Sequence, residues 1–222
     1  AGLTLDLDDI QFICQNSKTL QVLDLMGCKF DYLKLKESQT GQTVEDLELE
    51  YCNFRTKSIQ DLLTNCAHLT ELNFCVNQRN AETEIENVDW LLDPQIQAFV
   101  DNLTPTILKV ALGFHKNFQD EHVKKLVKRC NKITHLDLNS YKITNSSVLN
   151  IIEQLKASLE KLDVSDANLD FATLLQLKSM PALKALFLYS IKDEHAEGID
   201  NLKQQLRHIS INENEDSFYY MA

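Results

Sequence analysis

Glycine is scarce in this chain, five in 222 residues, and proline scarcer still, with three. So few glycines leave no loop of the kind that cradles a phosphate. The Gly-x-Ser-x-Gly and His-Glu-x-x-His patterns are also missing, which removes two common hydrolase readings. No apolar run approaches the roughly 20 residues of a membrane-spanning helix. The six cysteines are scattered, with no Cys-x-x-Cys, so neither a disulfide framework nor a zinc site is expected. Basic residues are outnumbered 22 to 33, for a net charge of −11. A direct nucleic-acid partner is disfavoured, because neutralising phosphates requires a basic patch. The opening Ala1-Gly-Leu-Thr-Leu-Asp-Leu-Asp-Asp lacks the basic and apolar regions of a signal peptide. With reduced thiols, this leads to an expected location in cytoplasm or nucleus.

What the chain does have is a period. In Lys132-Ile-Thr-His-Leu-Asp-Leu-Asn-Ser-Tyr-Lys-Ile143, apolar residues fall at Ile133, then three, five and ten positions on, at Leu136, Leu138 and Ile143. Val148, Ile151, Ile152 and Leu155 follow at the spacing of one helical face. The phrase restarts at Leu159 with Leu162, Val164 and Leu169. Starts are placed at Leu20, Val44, Leu69, Ile107, Ile133, Leu159, Leu183 and Leu206, with steps of 24, 25, 38, 26, 26, 24 and 23 residues. Each carries apolar residues at +3 and +5, as in Leu47/Leu49, Leu72/Phe74 and Leu186/Leu188. A three-residue strand cannot bury its apolar side alone; stacked in parallel and backed by helices, each repeat gains two neighbours to bury against. The fold class is therefore α/β, a leucine-rich-repeat solenoid shaped as a horseshoe, with parallel strands on the concave face and helices on the convex one.

Residues 1–19 read as an N-terminal edge or partial repeat, 20–211 as about eight repeats, and 212–222 as a tail. The long step holds an acidic insertion near 78–90, including Glu82, Glu84, Glu86 and Asp89. Asp93-Pro94 marks the restart of a helix. Further helices are predicted over Asp120–Cys130, Asn145–Lys156, Asp170–Lys178 and Asp193–Gln205, with Cys66 and Cys130 closing buried stripes. The tail is acidic and then aromatic, with Phe218, Tyr219 and Tyr220 expected to lie against the concave side or the last repeat.

Side chains alternate along a strand, so the +2, +4 and +6 residues are expected to face away from the core. The candidate partner-binding residues on this face are Asp24, Asp46, Glu48, Glu50, Glu71, Lys109, His135, Asp137, Lys161, Asp163, Phe187 and Tyr189. The first three repeats place five carboxylates there and no lysine or arginine, which predicts a protein partner with a basic surface. Asp137 and Asp163 would sit side by side as a catalytic carboxylate pair does, but the same position also holds Asp24 and Asn73, so a solvent-facing strand site is preferred. His135 and His208 are expected on the same face as contact residues. No catalytic residue, cofactor or metal is expected, and the chain is read as a monomeric, non-enzymatic module.

Cys66-Ala-His-Leu-Thr-Glu-Leu-Asn-Phe-Cys and Cys130-Asn-Lys-Ile-Thr-His-Leu-Asp-Leu resemble the cysteine-containing class of leucine-rich repeats found in F-box proteins. The resemblance is most specific from about Asn102 to Asn212. It implies a substrate-recognition domain of a Skp–cullin–F-box ubiquitin ligase, with an F-box that docks a Skp-type adaptor. The acidic insertion departs from the usual repeat, and no F-box helices precede Leu20. A stand-alone scaffold, an effector imitating a host receptor, and an inhibitor or GTPase regulator of the same fold are the alternatives.

Overall fold

The computed structural model describes residues 12, 16, 19–26, 44–49, 60, 63–64, 66–75, 93–113, 117–140, 142–189 and 196–213. Eight three-residue strands occur in it: β1 (Val22–Asp24), β2 (Asp46–Glu48), β3 (Glu71–Asn73), β4 (Lys109–Ala111), β5 (His135–Asp137), β6 (Lys161–Asp163), β7 (Ala185–Phe187) and β8 (Ser210–Asn212). They form one sheet in chain order, every neighbouring pair parallel. Five helices are described: α1 (Asp93–Asn102), α2 (Asp120–Arg129), α3 (Asn145–Leu155), α4 (Phe171–Leu175) and α5 (Ala196–Gln205). Each of the five packs on the next, α1 on α2 through to α4 on α5. This is the leucine-rich-repeat solenoid that the period predicts.

The register comes from one repeated backbone device. From the first repeat through the sixth, the carbonyl one residue after the repeat start accepts from two successive amides of the next repeat. Glu45 O accepts from Thr70 N at 2.7 Å and Glu71 N at 2.9 Å. Thr70 O does the same for Leu108 and Lys109, Leu108 O for Thr134 and His135, and Thr134 O for Glu160 and Lys161. The central residue of each strand then falls in line: Leu23, Leu47, Leu72, Val110, Leu136, Leu162, Leu186 and Ile211. From Leu23 to Leu186 that row is buried, as is the +5 row from Leu25 to Leu188. Together with the helix stripes it forms one continuous core.

Two expectations are corrected. The last repeat does not begin at Leu206. Ile211 pairs with Leu186, so it is the inward +3 residue and not the +5. His208 consequently lies in the turn before β8, exposed but off the strand face. Ile209, whose amide bonds Leu206 O, is the apolar residue that closes that turn. The helix expected over 170–178 is broken: α4 has five residues and passes into a 3-10 turn, Gln176–Ser179. The tighter turn ends at Met180, just ahead of Pro181, which has no amide hydrogen to continue a helix. The insertion near 78–90 with Trp90, the tail beyond residue 213, and Cys28 and Cys52 lie outside the described residues.

Helix starts are joined to one another. The Asp120 carboxylate, on the first residue of α2, accepts from Thr144 N at 2.9 Å and from the Thr144 and Ser147 hydroxyls, each at 2.5 Å. Thr144 in turn caps α3. Asn145 accepts from Asp170 N at 3.0 Å and donates to Asp170 Oδ2 at 2.7 Å, and Asp170 caps α4 through Thr173 N. A glycine sets α4 and α5 close together: a Cβ on Gly198 of α5 would lie 2.4 to 2.8 Å from three carbons of the Phe171 ring of α4.

Candidate functional site

The strand face is where a solenoid of this kind presents side chains to a partner, and its rows differ sharply. The +2 row runs Val22, Asp46, Glu71, Lys109, His135, Lys161, Ala185, Ser210 across the eight strands. From Asp46 to Lys161 these residues are half-exposed. Charge along the row is sorted. Asp46 and Glu71 are acidic, with Asp24 and Glu48 beside them in the +4 row; Lys109, His135 and Lys161 follow on three successive strands. The two fields meet at one ion pair, Lys109 Nζ to Glu71 Oε1 at 2.8 Å, whose side chains are 43% and 40% exposed.

The ionisation of the row reflects this sorting. Burial, then the Glu71 carboxylate, raise the pKa of Asp46 above the ordinary aspartate value, while Lys109 opposes them. Burial lowers that of His135, with help from Lys161 and Lys109 against Glu160 and Glu71. The His135 ring therefore remains neutral at pH 7, with Nδ1 2.9 Å from the Thr134 hydroxyl.

The +4 and +6 rows are another matter. Asp24 is exposed and Glu48 half-exposed, but Asp137, Asp163 and Phe187 are only 1%, 7% and 2% exposed. The expectation that these three lie open on the concave face is corrected: each is buried. The carboxylates are withdrawn because they bind the chain's own backbone. Asp137 Oδ1 accepts from Asn139 N at 2.9 Å, and Asp163 Oδ1 from Ser165 N at 2.8 Å. Asp24 and Asn73 make the same bond to Met26 N and Cys75 N. This is an Asx turn, which folds the strand end back by a side-chain acceptor two residues upstream. The sequence carried that signal as Asp or Asn recurring at one place in the repeat.

These turns are linked laterally. Gly113 N donates to Cys75 Sγ at 3.1 Å, and the Cys75 thiol donates to Asp137 Oδ2 at 3.6 Å. A side chain at Gly113 would be crowded: its Cβ would lie 3.2 Å from both Asp137 oxygens and 3.3 Å from the sulfur, tighter than an ordinary contact. Ser165 Oγ accepts from Tyr189 N at 2.9 Å and also bonds the Asp163 carboxyl. Burial, and secondly the Asp137 carboxylate on the adjoining strand, push Asp163 up to about 8. Asp163 is thus mostly protonated at neutral pH. Buried and bonded to main-chain amides, the pair serves the turns at the ends of β5 and β6.

Of the remaining candidates, Tyr189 is 36% exposed, at the margin of the face, while Glu50 lies outside the described residues. The face therefore comprises an acidic stretch over β1–β3 and a basic one over β4–β6. Such an arrangement suits the docking of another chain. The family described as the SKP2 LRR domain matches residues 2–219, nearly the whole sequence.

Proposed function

This chain belongs to the SKP2 LRR domain family, a protein-interaction domain of F-box/LRR proteins, and from that membership we propose the substrate-recognition role of an F-box-type ubiquitin ligase receptor. In this reading the domain is non-catalytic. It selects a protein in the cytoplasm or nucleus, and an F-box elsewhere in the gene product holds the Skp-type adaptor. The observation that carries the recognition role is the sorted charge on the open strand face, with Asp24, Asp46, Glu48 and Glu71 gathered at one end. Like charges clustered on a receptor face steer an oppositely charged partner toward it. The partner therefore presents basic residues to β1–β3.

Two measurements test this. The full-length gene product, immobilised, should retain a purified Skp-type adaptor; failure to do so would remove the ligase assignment and leave the interaction domain. For the recognition face, the double change Asp46→Lys, Glu48→Lys should slow association of a short lysine-rich peptide about tenfold at low salt, with little difference at high salt. The milder Asp46→Asn, Glu48→Gln variant guards against loss of folding. An unchanged association rate in both folded variants would rule out the acidic end as the docking surface.

A further inference from the structure

Five of the chain's 22 basic residues fall close together, at Lys124, Lys125, Lys128, Arg129 and Lys132. Four lie on α2 and the last in the turn behind it, and all are exposed. Val123, Leu126 and Val127 face the core, so the cations share the solvent side of the helix. Lys124 and Lys128 stand four residues apart, as do Lys125 and Arg129, a step of about 6 Å along the axis. Like charges at that spacing destabilise a helix. Among the described residues no carboxylate is ion-paired with any of the five. Lys125 Nζ meets Gln97 Oε1, and Arg129 Nε donates to Leu103 O at 2.7 Å; both acceptors are neutral. The helix dipole favours Lys128 and Arg129 in the last turn, but gives no reason for Lys124 and Lys125 in the middle. At the other end of α2, the Asp120 carboxylate is committed to Thr144 and Ser147. A chain with 33 acidic residues thus keeps an uncompensated basic ridge on one helix.

We infer that the α2 ridge docks a carboxylate-rich segment of a second protein, at a surface separate from the strand face. The neighbouring helices set its width. α1 has no lysine or arginine and exposes Asp101; α3 has none either and exposes Glu153. Both pack on α2. The positive strip is therefore one helix wide and bordered by acids. A lipid surface or a nucleic-acid duplex is broader, and would set its phosphates against Asp101 and Glu153. A single nucleic-acid strand is narrow enough, but such strands are held by stacking on aromatic faces. The one Phe, Tyr or Trp in α1, α2 and α3 is Phe99, which is buried. An extended protein segment matches the strip. Its alternate side chains are about 6.6 Å apart, close to the step of the ridge, so carboxylates at every second residue fall over Lys124 and Lys128 and on toward Lys132.

The test is an amide chemical-shift titration of the whole chain with a capped peptide that alternates glutamate and serine. The same peptide with glutamine for glutamate is its control. At low salt the glutamate peptide should shift the amides of α2 and bind about tenfold tighter than the control, an advantage lost at high salt. Lys124→Gln with Lys128→Gln and Lys132→Gln should abolish that advantage, while arginine at the same three positions should keep it. The glutamine variant relieves repulsion and should melt no lower than the parent; a lower midpoint would assign the lysines to the fold instead. Shifts confined to the strand face, or equal affinity for the two peptides, would overturn the docking site, and these readings on the parent decide even if the variant fails to fold. Tighter binding of a single-stranded oligonucleotide or of phosphatidylserine vesicles would overturn the choice of a protein segment. Self-association of the parent that the glutamine variant abolishes would give the ridge to a second copy of the chain. The lysine-rich peptide that probes Asp46 and Glu48 should bind parent and glutamine variant alike, so failure of the ridge and failure of the acidic strand face are seen separately.

Discussion

Asn73 and Asp163 hold the same place in their repeats and make the same bond, accepting the amide two residues on at 3.2 and 2.8 Å. The turn needs an oxygen there and has no use for the charge. Asp163 carries a penalty that Asn73 does not, since burial pushes its pKa up to about 8. The unfolded chain titrates this aspartate near 3.9. Between roughly pH 4 and 8 the folded state keeps a proton that the unfolded state releases, so stability falls as pH rises through that window. Below it both states are protonated and above it both are ionised, and the contribution is flat. Asp163→Asn keeps the acceptor and removes the titration. Denaturation midpoints should show the variant more stable than the parent at pH 8, with the difference shrinking toward pH 4. An unaltered pH slope would show that Asp163 does not carry the proton.

At the scale of the element, Leu138 shows what the period encodes. It is fully buried at the +5 position of the fifth repeat, within the shared core. Leu138→Ala should cost about 2–5 kcal/mol, the range for a cavity left in a packed core. An unchanged denaturation midpoint would contradict its burial. Such positions were legible because one apolar residue misplaced in a three-residue strand turns the pattern inside out. Seven starts, Leu20 to Leu183, and the helices at 120 and 145 follow from that logic. The eighth start was misread because Leu206, Ile209 and Ile211 reproduce the +0, +3, +5 spacing by accident. Only pairing with β7 distinguishes Ile209 as a turn residue. The open face was half legible: alternation gives the outward rows, but not that Asp137 and Asp163 would bend back onto their own amides. Phe187, buried at the same position, obeys no polar rule visible in the sequence.

At the scale of the molecule, the solenoid couples each repeat to its neighbours alone, so its parts can differ in strength. The links among Asp120, Thr144, Ser147, Asn145 and Asp170 are not spread along the chain. They run from the start of α2 to the start of α4. Load applied from the C-terminal end would first peel β8 and then β7, each repeat paying out roughly 80–90 Å of slack at about 3.5 Å per residue. Peeling would then meet the clasped helix starts, where releasing one repeat means breaking several short hydrogen bonds together. Lys109, His135 and Lys161 sit on β4–β6, and all three of these strands belong to the clasped repeats. The open strand face over β4–β6 would thus be among the last parts of the chain to yield under tension.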